Sequence, residues 1–234
     1  MRYDPLVLTN QTVAMQRIAD YVRSGHVFWT SGEVPMVRAK ALVHKFDRLY
    51  GIGRTRNQRA TDRSHGVAGA TLILYCPHTS DESPPTGKIR WVLLLSAGDN
   101  PAYAVEKLQD ARYRATRLRW GDYELLQIAR PGQLKPAWSW RLRQQAYDDF
   151  RHRIIQAIRH QNSFECESVL DTLYRLPGFA GVRVQGKKLL HLYGVEWVRR
   201  FGERGHLQKR LRYVQRLKTQ GTKLSVLVKE IRYR

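Results

Sequence analysis

Apolar residues in the first half of the chain follow two spacings, one typical of helices and one typical of strands. Val13, Ile18 and Val22 share one helical face, and Gly25 closes the segment, so a helix is predicted over 13–24. Alternating or continuous apolar runs predict strands around it. The predicted order is a strand over 2–8, this helix, a strand over 26–30, a helix over 35–50, an antiparallel strand pair over 67–77 and 88–97, a short helix over 101–109 and a strand over 120–131.

From Pro136 onward the apolar spacing becomes 3.6 residues, which is typical of helices. A stripe through Trp140, Ile154 and Ile158 predicts a long helix over 136–160. The same spacing predicts helices over 164–176, 187–201 and 206–218, and alternation near the C-terminus predicts a last strand over 222–234.

Strands and helices are segregated along the chain, which favours an α+β fold over a doubly wound sheet. The predicted organisation is an α/β core over 1–135, a basic helical lobe over 136–218, and a terminal segment over 219–234 whose strand returns to the core.

The charge of the chain indicates its class of partner. Lys and Arg number 41 against 20 Asp and Glu, and the formal net charge is +21 over 234 residues. Such an excess favours nucleic acid, and the 12 Tyr and six Trp offer faces for unstacked RNA bases. A membrane is the weaker alternative, because the longest apolar run, 91–95, is too short to span a bilayer and no leader pattern is present. We therefore expect a soluble, cytoplasmic protein.

Three groups of basic residues are predicted to bind RNA phosphates. Arginine pairs bidentately with phosphate, and basic side chains at helical spacing can follow a groove. The alternative for each group is a solvated linker or helix face. The groups are Arg54, Arg56, Arg59 and Arg63 in a loop over 51–66; Arg141, Arg143, His152 and Arg159 on the long helix; and Lys209, Arg210, Arg212 and Arg216 near the C-terminus.

Motifs for metals and nucleotide cofactors are missing from the sequence. Cys76 and Cys166 form no Cys-x-x-Cys pair, and the eight His lack the spacing His-Glu-x-x-His. The carboxylates lack a two-metal pattern, and Gly51-Ile52-Gly53 lacks the third glycine of a dinucleotide fingerprint. The sequence predicts neither a metal nor a cofactor.

Arg23, His26 and Arg38 are the candidates for metal-free RNA cleavage. When the 2′-hydroxyl of RNA attacks the neighbouring phosphate, the reaction needs a base, a proton donor and cations on the phosphorane. A helix end beside a strand end is expected to present Arg23 and His26 to one point, with Arg38 on the next helix. The alternative is that His26 packs at the strand edge while both arginines are solvated or hold phosphate.

The opening strand, the helix with His26 at its exit, the arginine-rich surface and the helical insertion resemble the CRISPR repeat-processing endoribonucleases, most closely the plasmid-associated type IV enzymes. The resemblance implies a ferredoxin-like (RRM-like) antiparallel sheet core and a helical finger that grips the repeat hairpin of precursor RNA. It also implies cleavage without metal, continued binding of the mature guide RNA, and assembly with other subunits of a ribonucleoprotein effector complex. Arg23 and Arg38 would then stabilise the phosphorane, with His26 as acid or base.

Two other functions fit the same residues. One is a non-catalytic RNA-binding subunit of such a complex. The other is a DNA-binding accessory protein of plasmid replication or transfer.

Overall fold

The computed structural model describes residues 3–77, 87–129, 132, 134–203 and 210–232. The chain divides into two compact units, one of Met1–Leu118 with Leu217–Arg234 and one of Arg119–Arg216. The second unit is therefore inserted into the first, and it begins at 119 rather than at the predicted 136.

The inserted unit interrupts the helices and strands of the first unit after its fifth strand. Those of the first unit before the insertion are β1 (Leu6–Leu8), α1 (Gln11–Arg23), β2 (Phe28–Pro35), α2 (Met36–Tyr50), α3 (Arg56–Ser64), β3 (Ala70–Tyr75), β4 (Lys88–Leu95), α4 (Ala102–Val105) and β5 (Gln109–Asp110). The second unit holds β6 (Arg119–Trp120), β7 (Tyr123–Ile128), β8 (Ala137–Leu142), α5 (Gln144–Arg159), α6 (Ser163–Arg175) and α7 (Ala180–Phe201), and the chain returns through β9 (Gly221–Lys223) and α8 (Leu224–Arg232).

The sheet of the first unit has the strand order β5-β2-β4-β3-β1-β9. The predicted antiparallel pairing of β3 with β4 is confirmed, with Ala70 opposite Leu95 and Tyr75 opposite Arg90. β1 and β3 are parallel, whereas the other pairs are antiparallel. The α+β class is confirmed, but the expectation of an antiparallel sheet is wrong, because this sheet is mixed.

Helices α1 and α2 bury apolar faces at helical spacing. The predicted face of α1 is confirmed, since Val13, Ile18 and Val22 are almost fully buried. On α2, Val43 and Phe46 pack into a cluster with sheet residues such as Leu93. Burying side chains of this size contributes about 1.5–3 kcal/mol each, so these faces fix both helices on the unit.

The second unit contains a three-stranded antiparallel sheet in the order β6-β7-β8. The prediction of a helix from Pro136 is wrong at its start, because residues 137–142 form β8, with Trp140 opposite Leu125, and the helix begins at Gln144. Trp138, Trp140 and Leu142 are buried at a spacing of two, the period of a strand. Helix α7 begins seven residues before the predicted start, and a Cβ at Gly181 would lie 2.5 Å from the Trp140 carbonyl oxygen. Glycine therefore lets this helix approach β8 closely.

Three other expectations are corrected. The predicted loop over 51–66 contains helix α3, which begins with a capping box between Thr55 and Gln58. The described part of the predicted helix over 206–218, residues 210–218, has no helical structure. The terminal strand is limited to Gly221–Lys223, which pairs with β1, and α8 follows because Leu224 and Val228 bury one helical face.

Among the helices that the structure describes, none combines the length and the hydropathy needed to span a bilayer.

Candidate active site

A cleft of about 960 Å³ lies in the first unit, where the end of α1, the start of β3 and the end of β4 meet. Phe28 and Ala70 both pair with Leu95, so the residues just outside these strands lie at the same edge of the sheet. Helix α3 forms another wall. The lining includes His26, Arg56, Arg63, Gly69 and Ser96. A space of this volume accommodates a nucleotide.

His26 is held by the last turn of α1. Its backbone N–H donates to the Tyr21 carbonyl oxygen at 3.0 Å. The Ser24 hydroxyl also donates to that carbonyl at 2.8 Å, and its oxygen lies 3.2 Å from Nδ1 of His26. Because the single hydroxyl hydrogen is directed to the Tyr21 carbonyl, the Ser24 oxygen can accept from Nδ1–H, and this is the tautomer that we assign to the ring. The lone pair of the neutral ring is then on Nε2.

The environment keeps His26 neutral. Only 9% of the His26 surface is exposed to solvent. Burial is the largest cause that lowers the pKa of the imidazole below 6.5, and the positive charges of Arg59 and Arg63 lower it further. A hydrogen bond between the imidazole and the Tyr21 backbone acts in the opposite direction and raises the pKa. At neutral pH this histidine is a base and not a proton donor.

Gly69 leaves room beside the basic nitrogen of His26. A Cβ at this position would lie 3.3 Å from Nε2. Two hydrogen bonds with Ser96 fix the glycine, one from the Gly69 N–H to the Ser96 hydroxyl oxygen at 2.9 Å and one from the Ser96 N–H to the Gly69 carbonyl at 3.0 Å. The approach to Nε2 therefore passes a fixed backbone without a side chain.

The four arginines predicted in the loop 51–66 have different environments. Arg59 is engaged within the fold: Nη1 donates to the Thr71 hydroxyl at 2.9 Å, Nη2 to the Ile52 carbonyl at 2.8 Å and Nε to the Arg54 carbonyl at 3.0 Å. Arg59 attaches α3 to the sheet, and its positive charge lowers the pKa of His26. Arg54 lies 3.5 Å from the Asp62 carboxylate, in a neighbouring pocket.

Arg56 and Arg63 are the exposed cations of the His26 cleft. Both lie on α3, seven residues apart, which places them two turns apart on the same side of the helix. Both residues line the same cleft as His26.

The structure does not bring Arg23, His26 and Arg38 together. Arg23 is not part of the cleft wall, and its half-exposed side chain lies 3.6 Å from Asp20. Arg38 is exposed in the first turn of α2, which follows the far end of β2. Since β2 has eight residues, Arg38 is about 20 Å or more from His26.

The four residues predicted on the long helix do not share one helical face. Arg141 is on β8 and pairs with Glu124 at 2.6 Å, and Arg143 is the N-cap residue of α5. His152 and Arg159 lie on α5 and are exposed, with Arg159 at 3.9 Å from Glu196.

The C-terminal basic group lies on an irregular segment. Arg210, Arg212 and Arg216 are exposed in the coil that precedes β9, and Lys209 lies outside the described residues. This coil contacts α7 and the residues before it, since the Val214 N–H donates to the Gly178 carbonyl and the Arg183 guanidinium lies 3.3 Å from the Tyr213 ring centre.

In the parts of the chain that the structure describes, no three His, Cys, Asp or Glu side chains gather as a metal-binding group. No protein-family model, curated protein or solved structure matches the chain.

Sequence reasoning predicted His26 as a candidate but missed the residues that surround it in the cleft. Ser24 had a readable signal, because a serine at the end of a helix and two residues from a histidine is placed for a local hydrogen bond. Gly69 and Ser96 had none, since they meet His26 only through the register of β2, β3 and β4.

Proposed function

We propose that this protein is an RNA-binding endoribonuclease that cleaves without metal through attack by the 2′-hydroxyl of its own substrate. The observation that carries the proposal is the neutral His26, whose basic Nε2 faces a glycine in a cleft rimmed by Arg56 and Arg63. The cleft thus offers a base and two cations for this reaction, and water supplies the proton that the leaving oxygen needs.

In the proposed reaction, Nε2 of His26 takes the proton of the 2′-hydroxyl. The 2′-oxygen then bonds to the adjacent phosphorus, and the bond from phosphorus to the 5′-oxygen breaks. The products are a 2′,3′-cyclic phosphate and a 5′-hydroxyl, whose proton comes from water. Arg56 and Arg63 stabilise the extra negative charge on the phosphorane. In the proposal they take the role that the sequence analysis gave to Arg23 and Arg38.

The repeat hairpin of a CRISPR precursor RNA is the substrate that we propose, together with retention of the product in an effector complex. The arginine-rich surface and the inserted unit support this choice, and so does the distribution of charge. The inserted segment 119–216 carries 19 of the 41 Lys and Arg and nine of the 20 Asp and Glu, so both units attract phosphate. The exposed His152, Arg210 and Arg212 are the proposed contacts of the inserted unit with the hairpin stem.

A ferredoxin-like core is part of the same proposal. Along β9-β1-β3-β4, the parallel pair β1–β3 lies between two antiparallel pairs, which differs from the antiparallel sheet that the resemblance implies. The chain order is different, since a ferredoxin-like unit runs strand–helix–strand–strand–helix–strand, whereas here two helix-containing connections precede β3 and β4.

A cleavage assay in excess chelator tests the proposed function. We expect a repeat-hairpin RNA to be cut at one site, because arginines supply the cations, and a 2′-deoxy substitution at that site to prevent the cut. Mass spectrometry of the product is expected to show a cyclic phosphate. Cleavage that needs a divalent ion, or that survives the 2′-deoxy substitution, would contradict the mechanism. Tight hairpin binding without any cut would favour the non-catalytic RNA-binding alternative.

The space beside His26 gives a second prediction. Gly69→Ala is expected to slow cleavage by about 10- to 10²-fold, because the added methyl group lies 3.3 Å from Nε2 and displaces the attacking hydroxyl. Single-turnover kinetics at saturating enzyme measure the effect.

Gly87→Ala is the matched control, since a Cβ there meets nothing within 4 Å. We expect wild-type rates for the control and similar melting temperatures for both variants. An unimpaired Gly69→Ala enzyme would mean that the hydroxyl does not approach past Gly69.

A further inference from the structure

A second group of basic and aromatic residues lies beside the His26 cleft, on the segment 111–118 that follows β5. This segment has the sequence Ala-Arg-Tyr-Arg-Ala-Thr-Arg-Leu and carries three arginines and no acidic residue. Ala111 is adjacent to the cleft, because its N–H donates to the Val27 carbonyl at 2.9 Å and Val27 follows His26.

The segment is fixed by contacts that leave its aromatic side chain outside. The Trp29 indole N–H donates to the Thr116 carbonyl at 3.0 Å, and the Thr116 hydroxyl donates to the Asp110 carbonyl at 2.7 Å. Arg112 donates to both carboxylate oxygens of Asp110, from Nε to Oδ1 and from Nη2 to Oδ2. Tyr113, between these anchors, is 65% exposed. An aromatic ring on an ordered backbone loses little conformational freedom when it binds a partner.

Other aromatic rings connect this segment with the cleft. The Arg112 guanidinium lies 5.5 Å from the centre of the Phe28 ring, and Phe28 meets Tyr103 edge to face at 5.4 Å. Tyr103 is 38% exposed, and its hydroxyl donates to the carbonyl of Ser96 in the cleft wall at 2.7 Å. Tyr103 and Tyr113 are thus two exposed rings near one end of the cleft.

We infer that Tyr103, Tyr113 and Arg114 bind an unpaired stretch of RNA next to the cleavage cleft, by base stacking on the two rings and a phosphate contact at the exposed arginine. Proteins bind single strands by this combination of aromatic faces and positive charge, with little dependence on sequence. The inference rests on the proposed function for the choice of RNA, and it adds that the substrate has a single-stranded flank beside the cut. A duplex stem would keep its bases stacked and unavailable to these rings.

The test is the equilibrium binding of a fluorescent 2′-O-methyl oligouridine of about 12 nucleotides, measured by anisotropy. This probe has no stem, and it cannot be cut by attack of a 2′-hydroxyl. Tyr113→Ala is expected to weaken binding by roughly tenfold, the effect of losing one stacked base. Tyr113→Phe is expected to bind like the wild type, because it keeps the ring. Phe164→Ala, which removes an aromatic ring that is 79% exposed on α6 of the other unit, is the matched control and is expected to leave binding unchanged.

Three results would overturn the inference: unchanged binding by Tyr113→Ala, equal losses in Tyr113→Phe and Tyr113→Ala, or an equal loss in Phe164→Ala. The first would leave a protein partner as the better explanation of this surface. Failure of the inference and failure of the proposed function are distinguishable, because this binding assay involves no cleavage. If Tyr113→Ala weakens probe binding but the protein never cuts RNA, the inference of a stacking surface is supported and the proposed nuclease activity is rejected.

Discussion

His26→Gln is expected to slow RNA cleavage by about 10²- to 10⁴-fold at neutral pH while RNA binding is retained. Glutamine keeps a polar side chain of similar size but cannot take a proton from the 2′-hydroxyl. Single-turnover cleavage at saturating enzyme, combined with equilibrium binding of an uncuttable hairpin, separates chemistry from affinity. His44→Gln is the matched control, because His44 is exposed on α2 and lies outside the cleft.

The pH profile of the wild-type protein is the second measurement on His26. Its pKa is lowered below 6.5, so the base form is already dominant at neutral pH, and we expect the rate to fall only as the pH drops below 6.5. The free energy of unfolding is also expected to decrease as the pH falls. Between the lowered folded pKa and 6.5 the unfolded chain binds more protons, so the free energy of unfolding contributed by this group decreases as the pH falls. A rate that rises on acidification, or equal losses in His26→Gln and His44→Gln, would contradict the role of His26 as base.

Arg59→Met is expected to reduce the free energy of unfolding by about 2–4 kcal/mol, because it removes three hydrogen bonds that join α3 to the body of the unit. Methionine keeps much of the aliphatic length but has no donor. Urea unfolding measures the loss. Arg56→Met is the matched control on the same helix, and since Arg56 is exposed, it is expected to change stability by less than about 0.5 kcal/mol.

Arg59→Met is also expected to raise the pKa of His26. Arg59 is the largest charge effect that lowers this pKa, so its removal favours the protonated ring. An NMR titration of the His26 imidazole measures the change. A variant with unchanged stability and an unchanged His26 titration would show that Arg59 neither attaches α3 nor acts on the histidine.

Local patterns predicted those elements whose burial follows from their own sequence. The faces of α1 and the β3–β4 pair are of this kind. The capping residues Thr55 and Gln58 were also readable, and a search for that motif would have replaced the predicted loop by α3. At Leu224 and Val228 the sequence is ambiguous, because a spacing of four fits one face of a helix and also one face of a strand.

Other features depend on contacts between distant segments. Trp138 and Trp140 lie before a long helical pattern, and only pairing with β7 makes them part of a strand. Similarly, His26 was predictable as a candidate, but its separation from Arg38 follows from the length of β2, and its proximity to Gly69 follows from strand register. Arg56 and Arg63 line the cleft with His26 because they lie on α3, a helix that the sequence analysis did not predict.

The insertion of residues 119–216 into the first unit has a consequence for synthesis on the ribosome. The last strand of the first sheet, β9, is made after the whole inserted unit, and at about 5–20 residues per second this takes roughly 5–20 s after Leu118 is added. Throughout this interval the outer edge of β1 has no neighbouring strand, and an open edge is where nascent chains pair with one another. Gln16 and Arg17, on α1, can bind the backbone of Leu217 only after this interval, because Leu217 also follows the inserted unit.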